Sequence, residues 1–406
     1  MYRLNPVKRA RASGKGKVRY VSPEECIDAA HNIRMRAKAT LAGSGENLVS
    51  RCDDLFEFVT NNYVDLAVPE PVANNNTDKT EWSSAKTRVL TQLGRAYGEL
   101  REFPKAIYLL RAALVLDPDN VLAEEIEQLG NFECRLAANA YVARKLLGDP
   151  QELEPLSDSE NELITEGTDR LENLLHRKLA DKSVTVSREL LGMLGSAMKR
   201  KATMQRKVTS EIRNTLLQMS NYYGTGWSGD LSLKPSASLA DYLRAANARN
   251  IAADNYAFTN MTLSFIVLQW FENKKSPKSN KQQFSNDFIH VFRTATRDAA
   301  NKQERPKDFW EITEFAILLI LQILDDSLRS RVGLYGDHEE LVVQFEQCCN
   351  NAITRPGSKR QWASVYDDLY FIEEMLRKRT GAPDQVNENM IRIRQIADGV
   401  FEKRAI

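Results

Sequence analysis

The sequence predicts an all-α protein assembled from helical hairpins, and three observations carry that expectation. Apolar residues recur at helical period through most of the 406 residues. Strand signals are nearly absent, because no stretch alternates cleanly over six residues without also fitting a helical period. In residues 87–120, small and large apolar residues fall where two packed helices need them. Leu90, Leu93, Gly94 and Tyr97 share one stripe, Ala106, Leu110 and Ala113 another, and Asp117 and Pro118 stop the second helix. Helices approach closely only where one offers Gly or Ala to a bulky side chain of the other. Gly94 is therefore expected to receive the second helix, and Ala106 and Ala113 to receive Leu93 and Tyr97.

From the N-terminus, residues 1–23 carry seven Lys or Arg and no acid, broken by Pro6, Gly14 and Gly16. They read as a flexible basic arm. Ser22, Pro23 and Glu25 then give a helix start of the capping-box kind, with Pro at the first helical position. A helix to about residue 42 follows, and a second over residues 46–67 buries Leu48, Cys52, Leu55, Phe56, Val59 and Tyr63. Residues 69–78 are a loop, the hairpin begins near residue 81, and a helix over 121–147 carries Ala137, Ala138, Ala140 and Ala143 for close contacts. These elements make an N-terminal helical region over 24–147. Residues 148–166 hold seven acids and no base, with Pro150 and Pro155. This stretch is expected to be an acidic linker and the domain boundary.

The C-terminal region, 167–406, reads as helices near 168–182, 187–206, 209–223, 238–250, 253–273, 283–301, 308–329, 337–353, 360–379 and 386–404, roughly sixteen in the whole chain. Loops rich in Gly, Pro, Ser, Asn or Lys separate several of them, including residues 224–236. Leu191, Leu194 and Gly195 repeat the spacing of Leu90, Leu93 and Gly94, with Met198 in the place of Tyr97. The partner helix over 209–223 lacks the Ala pair and the closing Pro, so this second hairpin is degenerate.

The spacing in 87–120 resembles the tetratricopeptide repeat (TPR), a helix–turn–helix unit of about 34 residues. Gly94, Tyr97, Ala106, Ala113 and Pro118 stand at the family's positions, with Leu90 for its Trp and Leu110 for its Phe. The resemblance implies stacking into an α-solenoid, in two helical halves here, with the first helix of each hairpin lining a concave groove. Carried onto this chain, the groove residues are Arg88, Thr91, Arg95 and Glu99. Arg88 and Arg95 lie two turns apart, so two guanidinium groups roughly 10 Å apart would grip carboxylates of an acidic peptide. Alternatively Arg95 pairs with Glu99, four residues on, or with Glu102. The family's clamp for a C-terminal carboxylate uses Lys and Asn where this chain has Thr and Arg. Residues 188–202 also resemble the TPR-like region of large bacterial multi-domain signalling and defence proteins, where it accompanies an effector such as a caspase-like peptidase.

Composition excludes several function classes. Lys plus Arg number 56 against 55 Asp plus Glu, so no global field draws the molecule onto nucleic acid or membrane. The five cysteines, with no CxxC, fit a reducing cytosol and argue against disulfides or structural zinc. The longest apolar run, residues 315–324, suits a buried helix rather than a membrane span, and no signal peptide is evident. Neither phosphate loop nor HxxxH, HExxH or HxH spacing occurs among His31, His176, His290 and His338, so no metal or cofactor is expected. A nucleophilic pair would need His290 or His338 with Cys348 or Cys349, but helical cysteines are more often buried apolar residues. Asp325 with Asp326, Asp367 with Asp368, and the cluster Lys199, Arg200 and Lys201 read as solvated faces.

The expectation is therefore a cytoplasmic, non-enzymatic scaffold that binds another protein or peptide, with a protease or effector as one partner class. The alternative is a nucleic-acid-associated regulator using Lys8, Arg9, Arg11, Lys15 and Lys17 as phosphate contacts. A partner protease would find a cleavage segment around Asp149, Glu152, Glu154 and Asp158.

Overall fold

A computed structural model describes residues 23–39, 48–63, 76–147, 156–181, 185–206, 209–248, 255–271, 284–303, 309–353, 359–379 and 384–399. Among the described residues there are sixteen α-helices, one short 3-10 turn at Pro118–Asn120 and no strand. The chain is all-α. It divides into two compact units, residues 1–133 with 358–360, and residues 134–357 with 361–406.

Unit 1 contains α1 (Pro23–Ala39), α2 (Leu48–Tyr63), α3 (Asn76–Glu99), α4 (Phe103–Leu116) and the start of α5 (Ala123–Leu147). Helix α3 packs on α1, α2 and α4. The close approach expected at Gly94 is present: a Cβ there would stand 2.8 Å from Leu110 Cγ and 3.3 Å from the Ala106 carbonyl. Leu93, Tyr97, Ala106 and Ala113 are all buried around it. The turn between the two helices places Arg101 at φ 66°, and Glu102 N–H donates back to the Tyr97 carbonyl at 2.9 Å. That six-to-one bond closes α3 as a Schellman turn does. Tyr97 also donates to Asp53 Oδ1 at 2.5 Å, and Lys105 donates to the same oxygen at 2.8 Å, tying α2 to the hairpin.

Unit 2 holds the rest of α5, then α6 (Asp158–Ala180), α7 (Arg188–Met204), α8 (Thr209–Ser228), α9 (Leu239–Ala248), α10 (Asn255–Gln269), α11 (Asn286–Lys302), α12 (Phe309–Leu324), α13 (Asp326–Val332), α14 (His338–Ile353), all but the first two residues of α15 (Lys359–Lys378), and α16 (Asp384–Ala397). Helix α7 packs between α6 and α8. From there α8, α10, α12, α14 and α16 each pack on the next, and α9, α11 and α13 form a second row. The second expected hairpin is closely packed, because a Cβ at Gly195 would stand 2.7 Å from the Tyr223 ring. Trp227, Phe258, Phe288 and Phe292 stack in series through the core, with centroids 5.0 to 6.2 Å apart.

Three elements depart from the sequence reading. Residues 158–166, read as part of an acidic linker, are the first turns of α6. Ser157 caps them, its Oγ accepting from Glu160 N–H at 3.3 Å while Glu160 Oε2 accepts from Ser157 N–H at 2.9 Å. The unit boundary accordingly falls within α5 rather than in the acidic stretch. Residues 224–228, read as loop, continue α8, because Gly224 receives the ring of Tyr242, which would lie 2.5 Å from an added Cβ. Finally, the helix expected over 308–329 divides at Asp325, whose extended backbone and carboxylate cap α13 through Leu328 N–H at 2.8 Å. No helix among the described residues is long and apolar enough to cross a membrane.

Candidate functional site

The four residues assigned to a groove occupy different environments in unit 1. Arg88 is exposed on α3. Thr91 is buried, and its hydroxyl donates to the Arg88 carbonyl at 3.0 Å, so it faces the packing side. Arg95 is largely covered and reaches Glu124 at 3.3 Å and Glu125 at 3.4 Å on the first turn of α5. Glu99 is half-buried at the end of α3. Beside them Arg34 of α1 donates to Gln92 at 2.9 Å. Burial and the adjacent Arg95 pull the Arg34 guanidinium below its usual range, against the opposing pull of Glu125, Glu99 and Glu124. Two cations and three carboxylates from α1, α3 and α5 thus share one polar face. The acids Glu124 and Glu125 lie on α5, beyond what helical spacing along α3 can reveal.

A second and denser polar cluster lies in unit 2, where the sequence predicted solvated faces. Lys199 and Arg200 of α7 are buried, and both are ion-paired to α15. Lys199 bonds Asp368 and also donates to Asn260 of α10 at 3.1 Å. Arg200 donates to Asp367 at 2.9 Å. Arg135 of α5 reaches the same Asp367 oxygen at 3.5 Å and donates to Ser364 at 3.1 Å. The expectation for Lys199 and Arg200, and for Asp367 and Asp368, is therefore corrected. Two adjacent aspartates point about 100° apart on a helix, and here each finds a different cation. Burial alone would raise Asp367, but Arg200 and Arg135 outweigh it and hold the carboxyl below the usual range.

The cluster extends along both helices. Lys145 of α5 pairs with Glu374, which also binds Arg377. Lys378 donates to the carbonyls of Ala202 and Thr203 at 2.9 and 2.5 Å, satisfying the end of α7. Burial pushes Glu374 up to about 7 and Lys378 down to about 7. At the other edge, Ser196 shares hydrogen bonds of 2.9 Å with both Tyr223 and Tyr256. Burial holds the Tyr223 hydroxyl well above its ordinary value, so it stays protonated.

Remaining sequence candidates fall elsewhere. Lys8, Arg9, Arg11, Lys15 and Lys17, and likewise Asp149, Glu152 and Glu154, lie outside the described residues. Asp158 is exposed at the start of α6. His338 meets Asp326 at 2.8 Å, whereas Cys348 donates to the Ile312 carbonyl at 3.0 Å. Burial raises the Cys348 thiol to about 12 and lifts Cys349 as well, which leaves little thiolate for nucleophilic attack. Asp326 is exposed, as its reading as part of a solvated face expects, and Arg329 donates to it at 3.0 Å. Among the described residues no group of three or more His, Cys, Asp or Glu is gathered as a metal site requires.

Comparison with family models, with curated proteins and with solved structures gave no match to this chain.

Proposed function

We propose that the chain is an interaction protein, a TPR-like helical scaffold that holds a partner polypeptide against the first helices of its hairpins. Support comes from the side-by-side packing of α1 and α3 and from the shared polar face formed by Arg34, Gln92, Arg95, Glu124 and Glu125. That face is the single observation on which the reading rests. A helical hairpin cannot bury its apolar stripe alone, so stacked neighbours leave their outward polar row for a guest. The partner class is a polypeptide bearing carboxylates, engaged first by exposed Arg88. The resemblance of residues 188–202 to bacterial signalling and defence proteins makes an effector such as a peptidase the partner to seek.

Arg88→Glu is the informative substitution, since Arg88 is exposed and its reversal leaves the packing of α3 intact. Arg95→Glu is less discriminating, because a third carboxylate beside Glu124 and Glu125 would repel α5 as well as a guest. A copurified partner titrated calorimetrically against both chains should bind Arg88→Glu about tenfold or more weakly, a loss of about 1.4 kcal/mol. Equal affinity would overturn this face as the binding surface.

A further inference from the structure

Helix α15 is held in unit 2 by an unusual stripe. Ser364, Asp367, Asp368, Glu374 and Lys378 recur at intervals that place them on one side of the helix. That stripe is part of a broader buried face: Asp368, Glu374 and Lys378 are buried, and so are Val365, Leu369, Phe371, Ile372, Met375 and Leu376. Its partners are Arg135 and Lys145 of α5, Lys199 and Arg200 of α7, and the terminal carbonyls of α7. Helix α7 is the first member of the hairpin α7–α8, and Arg144 of α5 donates to Glu160 at the start of α6 at 2.7 Å. On the reading above, the first helix of a hairpin forms the surface that receives a guest.

We propose that the cationic face of α5 and α7 is a seat for an acidic helix, that α15 is its resident occupant, and that a partner helix with adjacent aspartates and a following glutamate displaces it. The inference rests on the reading of first helices as binding faces, although its residues are all in unit 2. The energetics suit exchange. Buried ion pairs roughly repay their own desolvation, so they fix register and identity more than they add stability. A competing helix with the same charges and a matching apolar face regains the same pairs and the same burial, which makes the exchange nearly balanced. The tethered α15 keeps an advantage of effective concentration, on the order of millimolar for a short linker. Burial that moves Glu374 and Lys378 toward neutrality adds a cost to the occupied state.

The test is hydrogen exchange read by mass spectrometry on the intact chain. The probe is a synthetic peptide of residues 359–379, isotopically labelled so that its fragments are distinguished from those of the chain. At about millimolar peptide, exchange of the chain's own α15 amides should rise several-fold while α7 stays protected. A peptide carrying Asp367→Asn and Asp368→Asn should have no effect. If neither peptide accelerates α15, the helix is permanent core and the proposal fails. If both act equally, apolar packing is being recognised, and the acidic seat is wrong. A second measurement places the same two substitutions in the chain, where the labelled wild-type peptide should bind about tenfold more tightly than to the unaltered chain. Should that variant fail to fold, the exchange data on the unaltered chain still decide. Because the Arg88→Glu titration probes unit 1 alone, failure of either proposal is distinguishable from failure of the other.

Discussion

Replacing Gly195 by Ala and, separately, Gly192 by Ala on the same helix isolates what the second hairpin requires. Both changes remove a glycine from the interior of α7 and gain about 1 kcal/mol of helix propensity. Their surroundings differ. At Gly192 an added Cβ would meet only Tyr256, at 3.6 Å, an ordinary contact. At Gly195 it would stand 2.7 Å from two atoms of the Tyr223 ring and 2.8 Å from a third. A comfortable carbon contact is about 3.5–4.0 Å, so the ring must retreat by about 1 Å. Tyr223 is fully buried, its hydroxyl is bonded to Ser196, and its ring meets Tyr256 edge-on at 5.8 Å. Retreat therefore disrupts a polar cluster as well as packing, and overpacking of this kind costs about 1–3 kcal/mol. Gly192→Ala should stabilise by up to about 1 kcal/mol, and Gly195→Ala should range from neutral to about 2 kcal/mol destabilising. Urea unfolding followed by far-UV circular dichroism measures both. Equal stabilisation by the two alanines would refute the argument that Gly195 is the point of closest approach.

Other expectations follow from the charged cluster and the thiols. Asp367 is held below its unfolded value, so it contributes stability above about pH 4 that is lost as the pH falls through its folded value. Melting temperatures measured down an acid series should therefore fall less steeply for Asp367→Asn than for the wild type; identical slopes would remove Asp367 from the acid limb. All five cysteines are buried, and burial raises Cys52 and Cys348 to about 12. Iodoacetamide at neutral pH should label none of them rapidly in the native chain and all of them in denaturant, as intact mass would report. Rapid native labelling of Cys348 would contradict its placement against Ile312.

What could be read from the sequence was what is local. Gly94 facing Leu110 and Gly195 at the start of a second close hairpin follow from residues three and four apart, a spacing that helical geometry makes meaningful. The start of α6 is equally local, since Ser157 and Glu160 spell a capping box, but the density of acids around them reads as a solvated linker. Gly224 opens a stretch whose composition reads as loop, yet glycine is required there so that Tyr242 can pack against α8; tertiary contact overrides propensity. Asp325 reads in sequence as part of a solvated face, whereas it ends one helix and caps the next. The charge cluster was beyond reach for a different reason. Lys199 and Asp368 are 169 residues apart, and a lone lysine or aspartate is nearly always exposed unless paired. Nothing along a single helix reveals that its partner exists. The same applies to Arg95, a groove residue by helical spacing with Glu99 or Glu102 as its alternative partners, which reaches Glu124 and Glu125 on α5.

The hydrogen bonds from Lys378 to Ala202 and Thr203 have a consequence for biosynthesis. These carbonyls are finished by a side chain encoded about 175 positions later, so on the ribosome α7 emerges with its last turn unsealed and with Lys199 and Arg200 uncovered. At typical elongation of about 5–20 residues per second, the nascent chain spends roughly ten seconds or more in that state before its closing segment is translated. During that interval two cationic side chains meant for the interior are open to any polyanion nearby, ribosomal RNA included.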